Sequence, residues 1–372
     1  MKSVLGNDEK IIFKLRELYA KYGYQKYRMS KFEEYDLYVR NKDFLVSENI
    51  ITFTDVDGKL MALKPDVTLS IIKNSRDAVD SVQKMYYNEN VYRASSETRA
   101  FKEIMQTGLE CIGDIDDYSI CEVMLLAAKS LDCIDQDYIL DISHMGVVSE
   151  VIDGLNISQK ARKVILKSLG EKNAQEIVAI CESEGVDAEN TQMLKELVVT
   201  YGKPQAVIPK LKSLAKTQGF SDAVAQLETI ADVLESNGIG ERVRIDFSVI
   251  NDMSYYSGVV FKGFVNGVPG GVLSGGQYDN LMKKMHRTSG AIGFAVYLDI
   301  LERLWEETCD FDVDTVIIYD ENADVMVLNN TIKEISKTGE SVLAQKAKPE
   351  KLRYKKLLKL NGTEVETLEN NA

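Results

Sequence analysis

The chain reads as an α+β protein: an antiparallel sheet flanked by helices, interrupted once by a helical insert and followed by a small α/β appendage. Three observations predict this. Strand-length runs rich in β-branched and aromatic residues pair as hairpins on both sides of a long stretch that lacks them. That stretch, 145–238, shows helical spacing broken by turns such as "SLGEKN" and "TYGKPQ". After residue 311, strand-like and helix-like segments alternate at short intervals. The expected divisions are a discontinuous core of 1–144 and 239–310, an insert of 145–238 and a C-terminal domain of 311–372.

The elements follow in order. Residues 8–22 carry Ile11, Ile12, Leu15, Leu18 and Tyr19 at helical spacing, with Asp8 as the expected cap and Gly23 as the stop. In "ENIITFTDVDGKLMALKPDVT" two β-rich runs flank Asp57-Gly58, which predicts a type I′ hairpin turn. "KMYYNENVYR" (84–93) and "IMQTGLECIG" (104–113) predict a second antiparallel pair. A helix over 118–132 and the strand "YILDIS" close the first half. Beyond the insert, "RVRIDFSVI", "GVVFKGFV" and "GVLSGG" predict strands, and a helix is expected from about 291 to 307. The C-terminal piece reads strand ("DTVIIY"), helix (324–337), strand ("SVLAQK") and helix (349–360).

Composition bounds the function. The 372 residues are 45% hydrophobic and 28% charged, ordinary for a globular protein of two or three domains. No apolar run approaches the length of a membrane span, and the first residues lack a signal-peptide pattern, so cytoplasmic residence and no membrane partner are expected. The five cysteines are scattered without a CxxC pair, which supports neither a disulfide framework nor a metal site. A net charge of −13 disfavours a nucleic-acid partner, and the basic "KAKPEKLRYKKLLKL" reads as one solvated helix face.

The candidate site is a set rather than a motif. Asp66 and Thr68 stand in "LKPDVT", Arg93 in "NVYR", and Gln106 and Glu110 in "QTGLE". Gln106, Gly108 and Glu110 alternate along one strand and so project from one face. Tyr255 and Tyr256 follow a tight loop, Gly275-Gly276 allows close backbone approach, and Tyr278 follows in "GGQYD". Carboxylates, an amide and phenols suit an amino acid better than a phosphate-rich ligand. Each carboxylate alone reads as solvated surface, and the tyrosine pair alone reads equally well as half-buried core. The functional reading comes from the set, drawn from both sides of the insert.

In order along the chain, "GYQKYRMSKFE", "LKPDVTLSI", "YYNENVYR", "FKEIMQTGLECIG", "SYYSGVVF", "SGGQYDNL" and "GAIGFAVYLDIL" resemble the class II aminoacyl-tRNA synthetase core, in its histidyl branch. The resemblance covers about 1–144 and 240–308, and that branch carries an insert at the same place. The departures inform as much as the matches. Arg93 is present, but Ser95 stands where the synthetase pattern has an acid. Asn251, Asp252, Met253 and Ser254 replace the Arg-Gly-Leu-Asp run before the tyrosine pair. Asp299-Ile300 matches the Glu-Arg that ends the third synthetase motif, and Gln277 replaces the arginine after the double glycine. Adenylation builds negative charge at phosphorus that fixed cations must stabilise, so the loss of three arginines argues against that chemistry.

A chain that keeps amino-acid recognition and loses ATP chemistry resembles the regulatory subunits of ATP phosphoribosyltransferase. "LDISHMG" (140–146) is similar to a run that closes the first half of the core in that family, with His144 expected to be structural or at an interface. The resemblance implies no catalytic residues and no cofactor. It implies a short catalytic ATP phosphoribosyltransferase chain as partner, self-association into dimers within a hetero-octamer, and histidine as effector. The implied histidine site is Asp66, Thr68, Arg93, Gln106, Glu110, Tyr255, Tyr256, Gly275, Gly276 and Tyr278. Two alternatives stay open: a divergent histidyl-tRNA synthetase, and a synthetase-like amino-acid sensor or tRNA-binding module with another partner.

Overall fold

The computed structural model describes residues 5–42, 50–77, 80–94, 100–249, 255–304 and 311–371. It divides into two compact units, one of Asp8–Leu304 and a smaller one holding the described residues 311–371. Among the described residues no helix is long and apolar enough to cross a membrane.

The larger unit opens with helix α1 (Asn7–Lys21), so Asp8 falls in the first turn rather than capping it. Strands β1 (Gln25–Lys26) and β2 (Phe32–Glu34), helix α2 (Tyr35–Arg40), strands β3 (Thr52–Thr54) and β4 (Leu60–Leu63) and helix α3 (Thr68–Asn74) follow. Strands β5 (Val82–Ala94) and β6 (Phe101–Gly113), helix α4 (Asp117–Ile134) and strand β7 (Tyr138–His144) complete the first half. Residues 145–238 contribute α5 (Met145–Asp153), α6 (Gln159–Gly170), α7 (Ala174–Glu184), α8 (Ala188–Val199), the short β8 (Tyr201–Gly202), α9 (Pro204–Leu214) and α10 (Gln218–Ser236), within the same compact unit. The second half adds β9 (Val243–Asp246), β10 (Val259–Val265), β11 (Leu273–Gln277), α11 (Asp279–Lys284) and β12 (Gly290–Tyr297).

Nine strands form one sheet in the order β1-β5-β6-β12-β11-β10-β7-β9-β8, and β2-β4-β3 form a separate small sheet. The pairings β5/β6, β6/β12, β12/β11, β11/β10 and β10/β7 are all antiparallel. The chain therefore brings strands from either side of the insert into alternating contact at the centre. One face is covered by α1 and α4. Tyr19 of α1 packs edge-on to Phe294 at 6.1 Å and its hydroxyl meets Ser130 of α4 at 3.0 Å. α4 is apolar nearly all round because it is clasped between this face and α10. The opposite face carries the candidate site.

Local chemistry explains the insert. Ser158, Asn173, Asp187 and Thr217 each accept an N–H from the first turn of the helix they precede, and Gly185 takes the left-handed φ of +71° that ends α7.

Three further sequence expectations are corrected. The turn at Asp57-Gly58 is not type I′, because positive φ falls on Gly58 alone. Gly58 N–H donates to the Asp55 carbonyl and Asp55 N–H to that of Lys59, which makes a wider turn. The expected helix at 291–307 is the strand β12, followed by a 3-10 turn at Asp299–Leu304. An unbroken apolar run suits a strand paired on both edges and covered on both faces, and periodicity alone does not separate that from a buried helix.

The third correction lies in the smaller unit. Its strands β13 (Val313–Tyr319), β14 (Val342–Gln345), β15 (Tyr354–Asn361) and β16 (Glu364–Asn370) form a sheet in the order β14-β13-β15-β16, with helix α12 (Val325–Lys337) linking the parallel β13 and β14. The helix expected at 349–360 is β15. Tyr354, Leu357, Leu358 and Leu360 are spaced like a helical face, but pairing with β13 on one edge and β16 on the other holds the segment extended. The basic run is accordingly no helix face. Its charges meet local acids, Arg353 with Asp312 at 2.8 Å and Lys356 with Glu340 at 3.3 Å.

Candidate functional site

Glu110 is the centre of the site. It points from β6 and is 2% exposed. Thr68, the first residue of α3, donates its hydroxyl to Oε1 at 2.8 Å, and the Tyr278 hydroxyl donates to Oε2. Burial pushes the Glu110 carboxyl up to about 8, and the two hydroxyl donors pull only partly against it. Room for the carboxylate comes from Gly293 directly opposite on β12, where a Cβ would collide with Oε2.

Asp66 lies beside it, fixed by Leu69 N–H donating to Oδ1 at 2.9 Å, with the Arg93 guanidinium 4.0 Å from Oδ2. Burial raises the Asp66 pKa, and Arg93 and backbone donors oppose the rise. Arg93 is itself held by Nε donating to the Pro65 carbonyl at 2.8 Å. Gln106 is 3% exposed and its Nε2 has no hydrogen-bond partner. Tyr255 packs against Tyr256 at 4.6 Å between ring centroids and against Tyr278 at 5.9 Å. Burial raises all three phenols well above their ordinary range, so they act as neutral donors and acceptors.

These groups line one cavity of about 620 Å³. Asp66, Thr68, Arg93, Gln106, Glu110, Tyr255, Tyr256, Gly275 and Tyr278 all reach it, which joins α3, β5 and β6 to segments beyond the insert. Gly276 does not. It lies behind the wall, where a Cβ would press on the Tyr256 ring. Asn251 to Ser254 and Ser95 fall outside the described residues. Gln277 bonds Asp279 at 2.7 Å, whereas Asp299 and Ile300 do line the cavity.

Sequence reasoning missed Tyr87, Lys262, Ser274 and Tyr297, which also line it. The signal for Lys262 was present: a charge in the middle of the apolar strand "VVFKGFV". His144, expected to be structural, caps α5 by accepting Gly146 N–H at 3.0 Å and meets Gln226 of α10 at 2.8 Å. Of the cysteines, Cys111, Cys121 and Cys181 are buried, Cys133 is half-buried, and Cys309 lies outside the described residues.

Known proteins are similar to this chain in sequence and in fold. An ATP phosphoribosyltransferase regulatory subunit from Oceanobacillus iheyensis is 25% identical over 88% of this chain and 82% of its own length. A solved structure described as an ATP phosphoribosyltransferase regulatory subunit/histidyl-tRNA synthetase from Bacillus halodurans matches at a TM-score of 0.74. Its identity is 25%, over 93% of this chain and 91% of that one. A chain of the ATP phosphoribosyl transferase complex from Thermotoga maritima has the same fold at a TM-score of 0.62. Identity there is 18%, over 80% of this chain and 98% of that one. The family model for histidyl-tRNA synthetase matches residues 5–301, from α1 through the last strand of the cavity, and the chain belongs to that family.

Proposed function

We propose that this chain is a non-catalytic regulatory subunit of ATP phosphoribosyltransferase, acting with the short catalytic chain in the first step of histidine biosynthesis and conveying feedback by histidine. The observation that carries the reading is Ile300, an apolar side chain lining the cavity where the synthetase pattern places the arginine that holds ATP. Among the described residues only two cations line the cavity, Arg93 and Lys262, and Arg93 is already engaged by Pro65 and Asp66. Phosphoryl chemistry needs several fixed cations around the developing charge, and each one lost removes several kcal/mol of stabilisation. The amino-acid end, by contrast, retains Asp66, Thr68, Gln106, Glu110 and the tyrosines in one enclosure. The names of the relatives support the same assignment.

Histidine is the proposed occupant, with the ten residues inferred from the sequence as its site, less Gly276, which supports Tyr256 from behind. Feedback requires a complex with two states that histidine binds unequally, because differential affinity is all an effector contributes. The assembly is proposed to be a cytoplasmic hetero-octamer containing dimers of this chain, with the core, the insert of 145–238 and the C-terminal domain of 311–372 as its parts.

The test mixes this protein with the short catalytic chain. Phosphoribosyltransferase turnover is expected to rise on mixing and to fall when histidine is added. No association and no change in turnover would refute the assignment. Arg93 in the cavity favours a second reading, a divergent synthetase, which requires histidine-dependent exchange of pyrophosphate into ATP.

A further inference from the structure

The floor of the cavity is one cross-strand row. Gly108 on β6 faces Ala295 on β12, Ala295 faces Ser274 on β11, and Ser274 faces Lys262 on β10. Residues directly opposite in antiparallel pairs share a face of the sheet, so three small residues separate the Glu110 wall from one lysine. Ser274 is held down by its bond to the Tyr297 hydroxyl at 2.9 Å.

Lys262 is the cavity cation without an ion pair. The row continues to Asp141 on β7, yet among the described residues no ion pair joins Lys262 to Asp141 or to any other carboxylate. Its stem lies over the Gly271 backbone and its ammonium stands 5.5 Å from the centre of the Phe264 ring. A second donor in the cavity is also unanswered, the buried Gln106 Nε2. A buried donor without a partner is costly, and that cost is removed when an occupant supplies the acceptor. The cavity therefore has an acidic end with its own hydroxyl donors and, across a floor of small residues, a cation that no carboxylate holds in an ion pair, with Asp141 as its nearest acid along the row. An amino-acid zwitterion has the complementary layout.

We propose that Lys262 is the carboxylate-binding residue of this cavity, taking the α-carboxylate of an amino acid whose nitrogen groups rest on Glu110 and Asp66. The inference deepens the amino-acid reading given above and rests on it. Arg93 suits the part less, because its Nε is spent on the Pro65 carbonyl and its guanidinium stands 4.0 Å from Asp66, at the acidic end. A lysine suits it, because a flexible four-carbon stem carries a point charge to ligands of different length.

The test is calorimetry on the full chain with two probes: histidine, and histamine, which lacks the carboxylate. Lys262→Met keeps the stem and removes the charge. It should weaken histidine about ten- to a hundredfold and histamine less than about twofold, with Lys262→Arg restoring most of the loss. Melting temperature monitors folding, and Lys262→Gln replaces Lys262→Met if that variant does not fold. Histidine affinity within about twofold of the unaltered chain overturns the role of Lys262 and leaves the amino-acid reading standing. Equal losses for both probes also overturn it, as a purely structural effect. An unaltered chain that binds neither probe refutes the histidine reading of the cavity, and this inference with it.

Discussion

Tyr278 and Glu110 stand 168 positions apart in the sequence, and the Tyr278 hydroxyl donates directly to Glu110 Oε2 inside the cavity. A side chain from beyond residue 238 thus orients the central carboxyl carried by a strand from before residue 145. With Thr68 on the other oxygen, Glu110 is oriented before any ligand arrives. Glu110→Ala should weaken histidine binding by about 1.5–3 kcal/mol, the worth of a hydrogen bond to a charged group, and calorimetry reads this directly. Unchanged affinity would place the ligand elsewhere.

The same carboxyl makes stability depend on pH. Its pKa rises on folding from an ordinary 4.5 to about 8, so the folded chain holds a proton there that the unfolded chain releases between those values. Stability from this group is full below about pH 4.5 and declines as pH rises to about 8, beyond which it is level. Glu110→Gln removes that decline. Thermal melts across the range should show a flatter profile for the variant, and parallel profiles would contradict the burial argument. Tyr278→Phe should extend the decline to higher pH, because the lost donor was favouring the ionised form.

Gly293 tests the geometry apart from the chemistry. A Cβ there would overlap Glu110 Oε2 and crowd the Leu109 carbonyl oxygen, so Gly293→Ala has to displace the carboxylate or the strand. Overpacking of this kind costs about 1–3 kcal/mol. The expected result is a lower melting temperature together with lost histidine binding, although every proposed ligand group is still present. Histidine affinity equal to that of the unaltered chain would show that Glu110 does not touch the ligand.

Sequence alone brought nine of the ten candidate residues to a single cavity, because they lie on short, polar, strongly patterned segments. What it lost were non-local effects. Residues 291–297 and 354–360 have apolar spacings that fit a helix, and only pairing on both edges of each strand decides otherwise. Lys262 left one local mark, a charge inside an apolar strand, but that mark does not say what the lysine faces. Its place in the cavity depends on β10 lying next to β11, a fact of register rather than of any motif. Gly276 illustrates the converse, since in "GGQYD" nothing distinguishes the glycine that lines the cavity from the one that backs Tyr256.

His144 is predicted to act on stability and not on binding. Its Nδ1 accepts the Gly146 N–H, which leaves Nε2 to donate to the Gln226 Oε1, and Gln226 in turn donates to Asp117 at the start of α4 at 2.9 Å. Burial lowers the His144 pKa, so the neutral ring is the folded form and its contribution is lost as pH falls below the ordinary 6.5. His144→Ala should cost about 0.5–2 kcal/mol as a lost cap, measured by denaturant titration, with histidine affinity unchanged. A fall in affinity without a fall in stability would give this residue a part in the site.

Asp141 should behave in the opposite sense to a residue that supports the fold. It is 7% exposed, its Oδ1 has no partner, and it shares a sheet face with Asp246, which has taken the nearby Lys172 ammonium at 2.7 Å. Burial, with the Asp246 charge adding to it, pushes the Asp141 carboxyl from 3.8 up to about 7, against the pull of Lys172, Arg244 and Lys262. Folding therefore binds a proton between those values, and the stability tied to it falls as pH rises through that window. An amide of the same shape carries no charge to desolvate. Asp141→Asn should melt above the unaltered chain at about pH 8 and no higher than it at about pH 4. If the variant instead melts lower at the higher pH, Asp141 is ionised and paired in the folded protein, and its carboxylate rather than an occupant of the cavity is the partner of Lys262.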